Sequence, residues 1–335
     1  MVTTAVPETA LAPRATLGGD TGTGAPAKGA GVRARNDLPV AVPRTPLRLH
    51  AKPIDRIVVL LWGIAVSALA LGPTPVLAAV EEGTRIGGVE VTVWTPTAAT
   101  DGAFPVLIFS HALYMCPTQS RYLMRALADD GYLVIAPRHA DSSCSLSVSP
   151  SLSRISGKPS LLWTDDDYRD RAEDIRTVAK ALRSDPRYRE TADLRRLALM
   201  GHSLGGYTVL GLGGAWPSWQ LPGVRAIVAL TPYALPFQQS DGLARLSVPT
   251  MYQVGRFDPV FTVPLMLFGY ARTPSPKYLV EISWANHMAW TDLGISDRAA
   301  IVSYVIAFLD HHVRQAPAAL ALQSALPGVS GYWRD

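Results

Sequence analysis

The sequence predicts an α/β fold with a mostly parallel central sheet that is covered by helices on both faces. Short, uninterrupted apolar runs at 104–109 (FPVLIF) and 132–136 (YLVIA) are typical of strands buried on both sides. An amphipathic helical pattern at 165–184 follows them, and further apolar runs and helical patterns alternate after it. Strands that alternate with helices along a chain form parallel sheets, because each helix carries the chain back to the edge where the next strand starts.

The remaining predicted elements follow the same alternation. The segment 89–94 alternates and ends at Pro96, which is typical of an edge strand. The other predicted strands are 197–200, 226–230, 250–254 and 278–282, and the other predicted helices are 119–130, the segment after residue 203, and 297–312. In the helix at 165–184, Thr164 is expected to cap the first turn, and the charged face is interpreted as solvated. We expect a single catalytic domain over 79–335, since no repeat or linker interrupts this pattern.

Composition and charge limit the classes of protein to which the chain can belong. Among its 335 residues 48% are hydrophobic and 17% are charged, which suits a globular protein with a sizeable core. The formal charge is +4, but residues 1–56 hold eight basic and four acidic residues, leaving 23 of each for the rest. The excess charge therefore belongs to the leader, and the sequence predicts no nucleic-acid partner.

The N-terminal segment resembles an export signal. Residues 1–56 form a basic leader that we expect to be disordered, and an uncharged apolar run of about 15 residues follows at 57–71. A membrane span needs about 20 such residues. Val76 and Ala78 are small residues at the positions that precede a cleavage before Ala79. We therefore interpret 57–78 as a signal-peptide core with its cleavage region and expect a secreted, periplasmic or extracellular protein. The alternative is an uncleaved membrane anchor.

A short glycine-rich motif carries the chemistry. Gly201-His202-Ser203-Leu204-Gly205 directly follows a predicted strand and opens a predicted helix, as a G-x-S-x-G nucleophile elbow does. Glycines are needed at such a turn because side chains there would clash with neighbouring backbone. The motif predicts that the Ser203 hydroxyl is a nucleophile.

A serine nucleophile needs a base, and the base needs an orienting acid. In this arrangement the acid and the histidine follow the serine in chain order, each after a later strand. Asp258 follows the strand at 250–254 and His287 follows the strand at 278–282. The rival residues follow no strand or fall on the terminal helix; they are Asp241, Asp292, His311 and His312. We therefore predict the triad Ser203, His287 and Asp258.

The transition state of acyl transfer also needs two N–H donors for its oxyanion. One comes from the residue after the nucleophile, which is Leu204. The other comes from the loop after an earlier buried strand, and there Leu113 is the candidate. We interpret His111 in the same loop as structural.

These motifs resemble a known family. The segments FSHAL, GHSLGG, GRFDP and NHM are similar to those of the dienelactone-hydrolase-like α/β hydrolases, over about 84–314. The similarity is strongest to the branch that holds platelet-activating-factor acetylhydrolases and bacterial cutinase-like polyester hydrolases. The resemblance implies the α/β-hydrolase fold and supports Leu113 as an oxyanion donor, although Ala112 stands where that family usually has Gly. The dienelactone hydrolases proper use Cys as nucleophile, so Ser203 favours the esterase branch.

The resemblance also suggests roles for residues around the site. It places Cys116 and Cys144 just beyond two neighbouring strands, so that a disulfide between them is a hypothesis. Candidates for an apolar substrate wall are Tyr114, Met115, Trp163 and Trp290, and ordinary loop packing is the alternative for all four. His139 and Asp141 have no further ligands at useful spacing, and we predict neither a metal nor a cofactor.

Together these observations predict a serine hydrolase that cleaves a carboxylic ester of a small molecule, lipid or polymer through an acyl-enzyme. The alternatives are a peptidase or amidase, an acyltransferase, and a non-catalytic binding module on the same fold. A histidine base must be neutral, so activity is expected to fall as the pH drops through about 6–7. The sequence identifies neither the natural ester nor the oligomeric state.

Overall fold

A computed structural model of the chain describes residues 79–97, 102–144 and 156–335. The predicted leader and signal region, 1–78, lie outside the described residues, as does most of the serine-rich loop that follows residue 144. In the described part of the chain, no helix is long and apolar enough to cross a membrane.

A nine-stranded sheet runs through the described residues. Its strands are β1 (Val80–Ile86), β2 (Val89–Thr95), β3 (Phe104–Ser110), β4 (Leu133–Pro137), β5 (Ala192–His202), β6 (Val224–Leu230), β7 (Thr250–Gly255), β8 (Lys277–Ile282) and β9 (Val329–Arg334). They lie in the order β1-β2-β4-β3-β5-β6-β7-β8-β9. The six strands from β4 to β8 in this order are parallel, whereas β1, β2 and β9 pair antiparallel at the two edges. The carboxyl ends of the parallel strands therefore meet at one edge of the sheet.

Helices cover both faces of this sheet. They are α1 (Arg121–Asp129), α2 (Arg169–Ala181), α3 (Leu204–Leu210), α4 (Pro236–Gln239), α5 (Val263–Arg272) and α6 (Arg298–Val313). Short 3-10 turns lie at 160–162, 217–219, 242–245 and 320–322, and a π-helical turn at 211–215 extends α3. Buried residues of α2, α3 and α5 join one hydrophobic core, and those of α1 and α6 join the other.

The predicted fold class is confirmed, and several elements differ from the prediction, including strand β1 and helices α4 and α5, which the sequence pattern did not indicate. The segment 89–94 is a strand but not an edge strand, because β1 pairs along its outer side. Strand β9 closes the other edge, where the sequence pattern indicated nothing. Helix α2 begins at Arg169 rather than at 165, because Tyr168 has a left-handed backbone (φ +64°) and the carboxylate of Asp167 accepts the N–H of Thr164 in a turn before the helix.

Candidate active site

The elbow around Ser203 is a sharp turn between β5 and α3. Ser203 has φ +54° and ψ −114°, a conformation that is strained for a residue with a side chain. The turn is so tight that a Cβ on Gly201 would lie 2.1 Å from the carbonyl oxygen of Gly205. The sequence pattern therefore reflects a steric requirement, and the turn lifts the Ser203 hydroxyl beyond the carboxyl end of β5.

Three predicted residues meet beyond that end of the sheet. The Oγ atom of Ser203 lies 3.1 Å from Nε2 of His287, and Nδ1 of His287 lies 2.9 Å from Oδ2 of Asp258. His287 is on the loop after β8 and Asp258 on the loop after β7, as the chain order predicted. The geometry suits proton transfer from the hydroxyl to the imidazole, with the carboxylate orienting the ring.

Asp258 is held by donors on several sides. Its Oδ1 atom accepts the backbone N–H groups of Val260 (2.8 Å) and Phe261 (2.9 Å), and its Oδ2 atom accepts the hydroxyl of Thr231 as well as the imidazole of His287. Burial alone would raise the pKa of Asp258, but these hydrogen bonds outweigh it and leave the pKa below its usual value. The carboxylate therefore stays ionised where it faces His287.

The loop after β3 lies against the elbow. Ser110 pairs with Gly201 in the sheet, and a Cβ on Gly205 would lie only 1.9 Å from the carbonyl oxygen of Ser110. The two predicted oxyanion donors, Leu113 and Leu204, therefore belong to adjoining segments. Neither of their N–H groups donates to an acceptor among the residues that the structure describes.

A buried ion pair contacts the loop after β3. Arg171 is fully buried and donates twice to Asp141, with Nε–Oδ1 and Nη2–Oδ2 distances of 3.1 and 2.6 Å. Its Nη1 atom also donates to the carbonyl of His111 (2.7 Å), and its Nη2 atom lies 3.4 Å from the carbonyl of Ala112. The sequence pattern does not single out Arg171, because charged residues on a helix usually face solvent. Its spacing of four residues from the buried Ile175 was the available signal.

The two histidines beside this pair are structural. His111 donates from Nδ1 to the carbonyl of Ala112 (2.8 Å), and its Nε2 accepts the N–H of His139 (3.2 Å). His139 in turn contacts Ser110 and Asp174. Burial and the nearby arginine lower the pKa of both histidines well below the usual value. No group of three or more His, Cys, Asp or Glu side chains in the described ranges is arranged to hold a metal ion.

The structure joins Cys116 to Cys144 in a disulfide with a Cα–Cα distance of 5.2 Å. The bond connects the segment after β3 to the segment after β4, which are neighbouring strands. It therefore ties two loops at the same edge of the sheet as Ser203.

Aromatic rings extend from His287 towards the turn at 160–162. Trp163 stacks on Tyr233 with a centroid separation of 5.0 Å, Tyr233 meets Phe261 edge-on at 5.1 Å, and Phe261 lies 5.3 Å from His287. The N–H of Tyr233 also donates to the carbonyl of Ser203 (3.0 Å). Of these rings only Trp163 was predicted as part of a wall. Tyr233 and Phe261 were missed, since nothing in their local sequence indicates that they face the elbow.

The other predicted wall residues separate into two groups. Tyr114, with a left-handed φ of +58°, and Met115 are half-buried in the loop directly after Leu113. For Trp290 the wall prediction is wrong: it is fully buried in the core, and its indole N–H donates to Gln253 (2.8 Å). Trp290 is only three residues from His287 in the sequence, but the turn between them directs its side chain into the core.

Comparison with known proteins gives two matches. A family model described as chlorophyllase matches residues 84–239, a segment that includes Ser203 and ends before Asp258 and His287. A protein named cutinase est2 from Thermobifida alba is 32% identical over 104 residues, which make up 30% of this chain and 32% of that protein. The chain thus matches about a third of the length of this curated relative.

The matches agree with the architecture. The chlorophyllase match covers the sheet from β1 to the segment after β6, including the elbow. The order of strands and helices in the structure confirms the α/β-hydrolase fold that the motifs implied. The chain therefore has the α/β-hydrolase fold, and the chlorophyllase and cutinase matches support the polyester hydrolase branch of that fold.

Proposed function

We propose that the protein hydrolyses carboxylic esters through an acyl-enzyme, with Ser203 as nucleophile, His287 as general base and Asp258 as the orienting acid. The observation that carries this proposal is the continuous contact from Ser203 Oγ to His287 Nε2 (3.1 Å) and from His287 Nδ1 to Asp258 Oδ2 (2.9 Å). The matching family model and the relative carry the names chlorophyllase and cutinase, which favours ester hydrolysis over a binding module.

The proposed reaction has two stages. Ser203 Oγ attacks the ester carbonyl carbon while its proton passes to His287 Nε2, and the N–H groups of Leu113 and Leu204 stabilise the oxyanion. The tetrahedral intermediate collapses, and the alcohol leaves with the proton from His287. A water molecule, deprotonated by His287, then attacks the acyl-enzyme and releases the acid, which restores the Ser203 hydroxyl.

The aromatic residues favour an apolar group on the substrate. Trp163, Tyr233 and Phe261 form a run of rings that ends at His287, and rings of this kind bind apolar chains or aromatic groups. Phe261 is buried, so we propose that the half-buried rings of Trp163 and Tyr233 bind one side of the ester, which suits small-molecule, lipid and polymer esters alike.

The first test is hydrolysis of p-nitrophenyl esters with acyl chains of increasing length. We expect turnover by the wild-type protein and a loss of about 10⁴-fold or more in Ser203→Ala, since the nucleophile is removed. Product analysis in the presence of an alcohol separates hydrolysis from acyl transfer, and a peptide p-nitroanilide series tests the amidase alternative. Equal inertness of both proteins towards esters, with no labelling of Ser203 by a fluorophosphonate, would argue against the proposal.

We further propose that the protein is exported and that its leader is removed before Ala79. The basic leader, the apolar run at 57–71 and the small residues before Ala79 support export, and a disulfide is compatible with an oxidising compartment. The mass and N-terminal sequence of the protein recovered outside the cytoplasm test this. Recovery of an intact chain in the membrane fraction would favour the anchor instead, and two free thiols in exported protein would exclude the disulfide.

A further inference from the structure

We propose that Gln119 is a positioning residue, which works through His202 to hold together the three loops that carry Leu113, Ser203 and His287. The inference rests on the proposed function, because it assigns a role to Gln119 in that reaction. Gln119 touches none of the proposed reacting atoms, and its effect would be on the geometry of the groups that do.

Gln119 lies between β3 and α1, with 6% of its surface exposed. Its side-chain oxygen accepts the N–H of Ala112 (2.9 Å), and its side-chain nitrogen lies 3.0 Å from Nδ1 of His202. Its backbone carbonyl accepts the N–H of Asp292 (2.7 Å). One buried side chain therefore connects the predicted oxyanion loop to the elbow, while its backbone contacts the segment that follows His287.

His202 continues the connection. It directly precedes Ser203, is fully buried, and its Nε2 atom lies 2.9 Å from the carbonyl oxygen of His287. The rings of His202 and His287 lie 5.1 Å apart. The chain of contacts thus runs from Ala112 through Gln119 and His202 to the backbone of His287.

The direction of every hydrogen bond in this chain follows from its two ends. The N–H of Ala112 can only donate, so the atom of Gln119 that faces it is the oxygen, and the other atom is the amide nitrogen. That nitrogen donates to Nδ1 of His202, which must then be unprotonated. The carbonyl of His287 can only accept, so Nε2 of His202 carries the proton. Burial, together with the nearby His287, lowers the pKa of His202 to about 3, in agreement with the neutral form that this arrangement requires.

The consequence for the proposed oxyanion donor follows from the planarity of the peptide bond. The carbonyl of Ala112 and the N–H of Leu113 belong to one plane and point in opposite directions. The carbonyl accepts from Nδ1 of His111 (2.8 Å) and from the N–H of Met115 (3.1 Å), while Gln119 holds the N–H of Ala112 on the other side of the same residue. Removing Gln119 would free one of these constraints, and a misplacement of about 1 Å costs roughly 10²-fold in rate.

The central experiment compares Gln119→Leu with the wild-type protein in the p-nitrophenyl ester assay. We expect kcat to fall about 30-fold with KM within about two-fold, because a misplaced oxyanion donor affects the transition state more than substrate binding. Tyr252→Phe in β7 is the control, since it removes another buried hydrogen bond, between Tyr252 and Thr273 at the end of α5 (2.7 Å), away from these loops. This control should lose stability and keep its kcat.

Two measurements test the route through His202. In a double-mutant cycle, Gln119→Leu and His202→Asn should together reduce kcat by much less than the product of the single effects, because both break one chain. The ¹⁵N spectrum of the wild-type histidines should show His202 as the neutral tautomer with the proton on Nε2. A proton on Nδ1, or fully multiplicative effects, would overturn the proposed route.

The outcomes separate this inference from the proposed function. If the wild type hydrolyses esters and Gln119→Leu has the same kcat, the positioning role is wrong while the proposed function stands. If Gln119→Leu does not fold, Gln119→Met replaces it, since Met has a similar length but neither an acceptor for the N–H of Ala112 nor a donor for His202. An unchanged kcat in that variant would also overturn the inference. A wild type that is inert towards esters and fluorophosphonate contradicts the proposed function itself.

Discussion

At Ser203 the fold holds a residue in a conformation that costs about 1–3 kcal/mol. Hydrogen bonds on both sides of the residue oppose this cost. Its N–H donates to Leu230 (3.0 Å), and its carbonyl accepts from Tyr207 (3.1 Å) and Tyr233 (3.0 Å). Strands, helix and loop therefore fix the turn together, and the Ser203 hydroxyl is directed at His287 before any substrate arrives.

The closest approach at the elbow gives a prediction for Gly205→Ala. The new Cβ would lie 1.9 Å from the carbonyl oxygen of Ser110, so that the elbow and the loop after β3 must separate. We expect the free energy of unfolding to fall by about 3 kcal/mol, together with a loss of ester hydrolysis. Urea unfolding and the p-nitrophenyl assay measure the two effects.

Gly83→Ala serves as the matched control for Gly205→Ala. It lies in edge strand β1, and no atom lies within 4 Å of the position that its Cβ would occupy. Its stability and activity should stay near those of the wild type. If Gly205→Ala behaves like this control, the tight packing of the elbow is not required.

At the scale of single residues, the sequence allowed some contacts to be predicted and not others. The triad Ser203, His287 and Asp258 could be predicted from the sequence. The elbow motif around Ser203 is local, and chain order assigns Asp258 and His287 to loops after later strands. Gln119 and Tyr233 could not be predicted, because each reaches the elbow through side-chain directions that only the packed structure defines. The prediction that Trp290 forms part of the substrate wall was wrong for the same reason, since a short sequence distance from His287 does not determine which way the side chain points.

Helix α2 shows how a charged residue can belong to the core. Arg171 lies on the same side of the helix as Ala172 and Ile175, and all three are fully buried. A buried cation requires a paired anion, which Asp141 supplies, and the pair supports the carbonyl of His111. The helical period was predictable, but the inclusion of an arginine in the buried stripe depends on a partner 30 residues away.

This pair gives a prediction for Asp141→Asn at the scale of the element. The substitution leaves the guanidinium of Arg171 buried without its anion, so the free energy of unfolding should fall by about 3–5 kcal/mol at pH 7. Burial alone would raise the pKa of Asp141, but Arg171 outweighs it and leaves the pKa below its usual value. A carboxylate with a lowered pKa stabilises the fold above its unfolded pKa of about 4, and this contribution is lost as the pH falls further.

The difference between Asp141→Asn and the wild type should therefore shrink as the pH falls below about 4, because the unfolded wild-type chain then takes up a proton at Asp141 that the folded protein resists. Denaturant unfolding at several pH values measures this trend. Asp166→Asn is the control: its side chain is 80% exposed and pairs with Arg169 at the surface, where such a pair contributes at most about 1 kcal/mol. A pH-independent difference for Asp141→Asn would contradict the electrostatic explanation.

For the whole molecule, the parallel centre of the sheet was predictable and its edges were not. Buried parallel strands are continuous apolar runs, which the sequence displays clearly from β3 to β8. Strand β1 (VEEGTRI) and strand β9 (VSGYWR) are polar or mixed, because each has one side exposed to solvent. The resemblance to the dienelactone-hydrolase-like family covers residues up to about 314, so it did not predict β9 either.

Strand β9 leads to a prediction for the whole sheet. Its backbone pairs along β8, Trp333 packs on one hydrophobic core and Tyr332 on the other, and Ser330 donates to Glu281 of β8 (2.8 Å). Ending the chain at residue 327 removes the strand and leaves β8 as an unpaired edge. Since an exposed edge strand pairs readily with other chains, we expect concentration-dependent association together with a melting temperature lower by roughly 10 °C.

The loop that carries His287 follows β8 directly, so the same truncation should also reduce ester hydrolysis, because β8 would lose the neighbour that fixes its position. Size-exclusion chromatography at several concentrations, thermal unfolding and the p-nitrophenyl assay measure the three effects. Ser330→Ala is the conservative comparison: it removes only the hydroxyl that donates to Glu281 and keeps the backbone pairing, so it should keep the oligomeric state and activity of the wild type. A truncated protein with the oligomeric state, stability and activity of the wild type would show that β9 is dispensable. In that case the parallel strands from β4 to β8 would support the site without a strand covering the β8 edge.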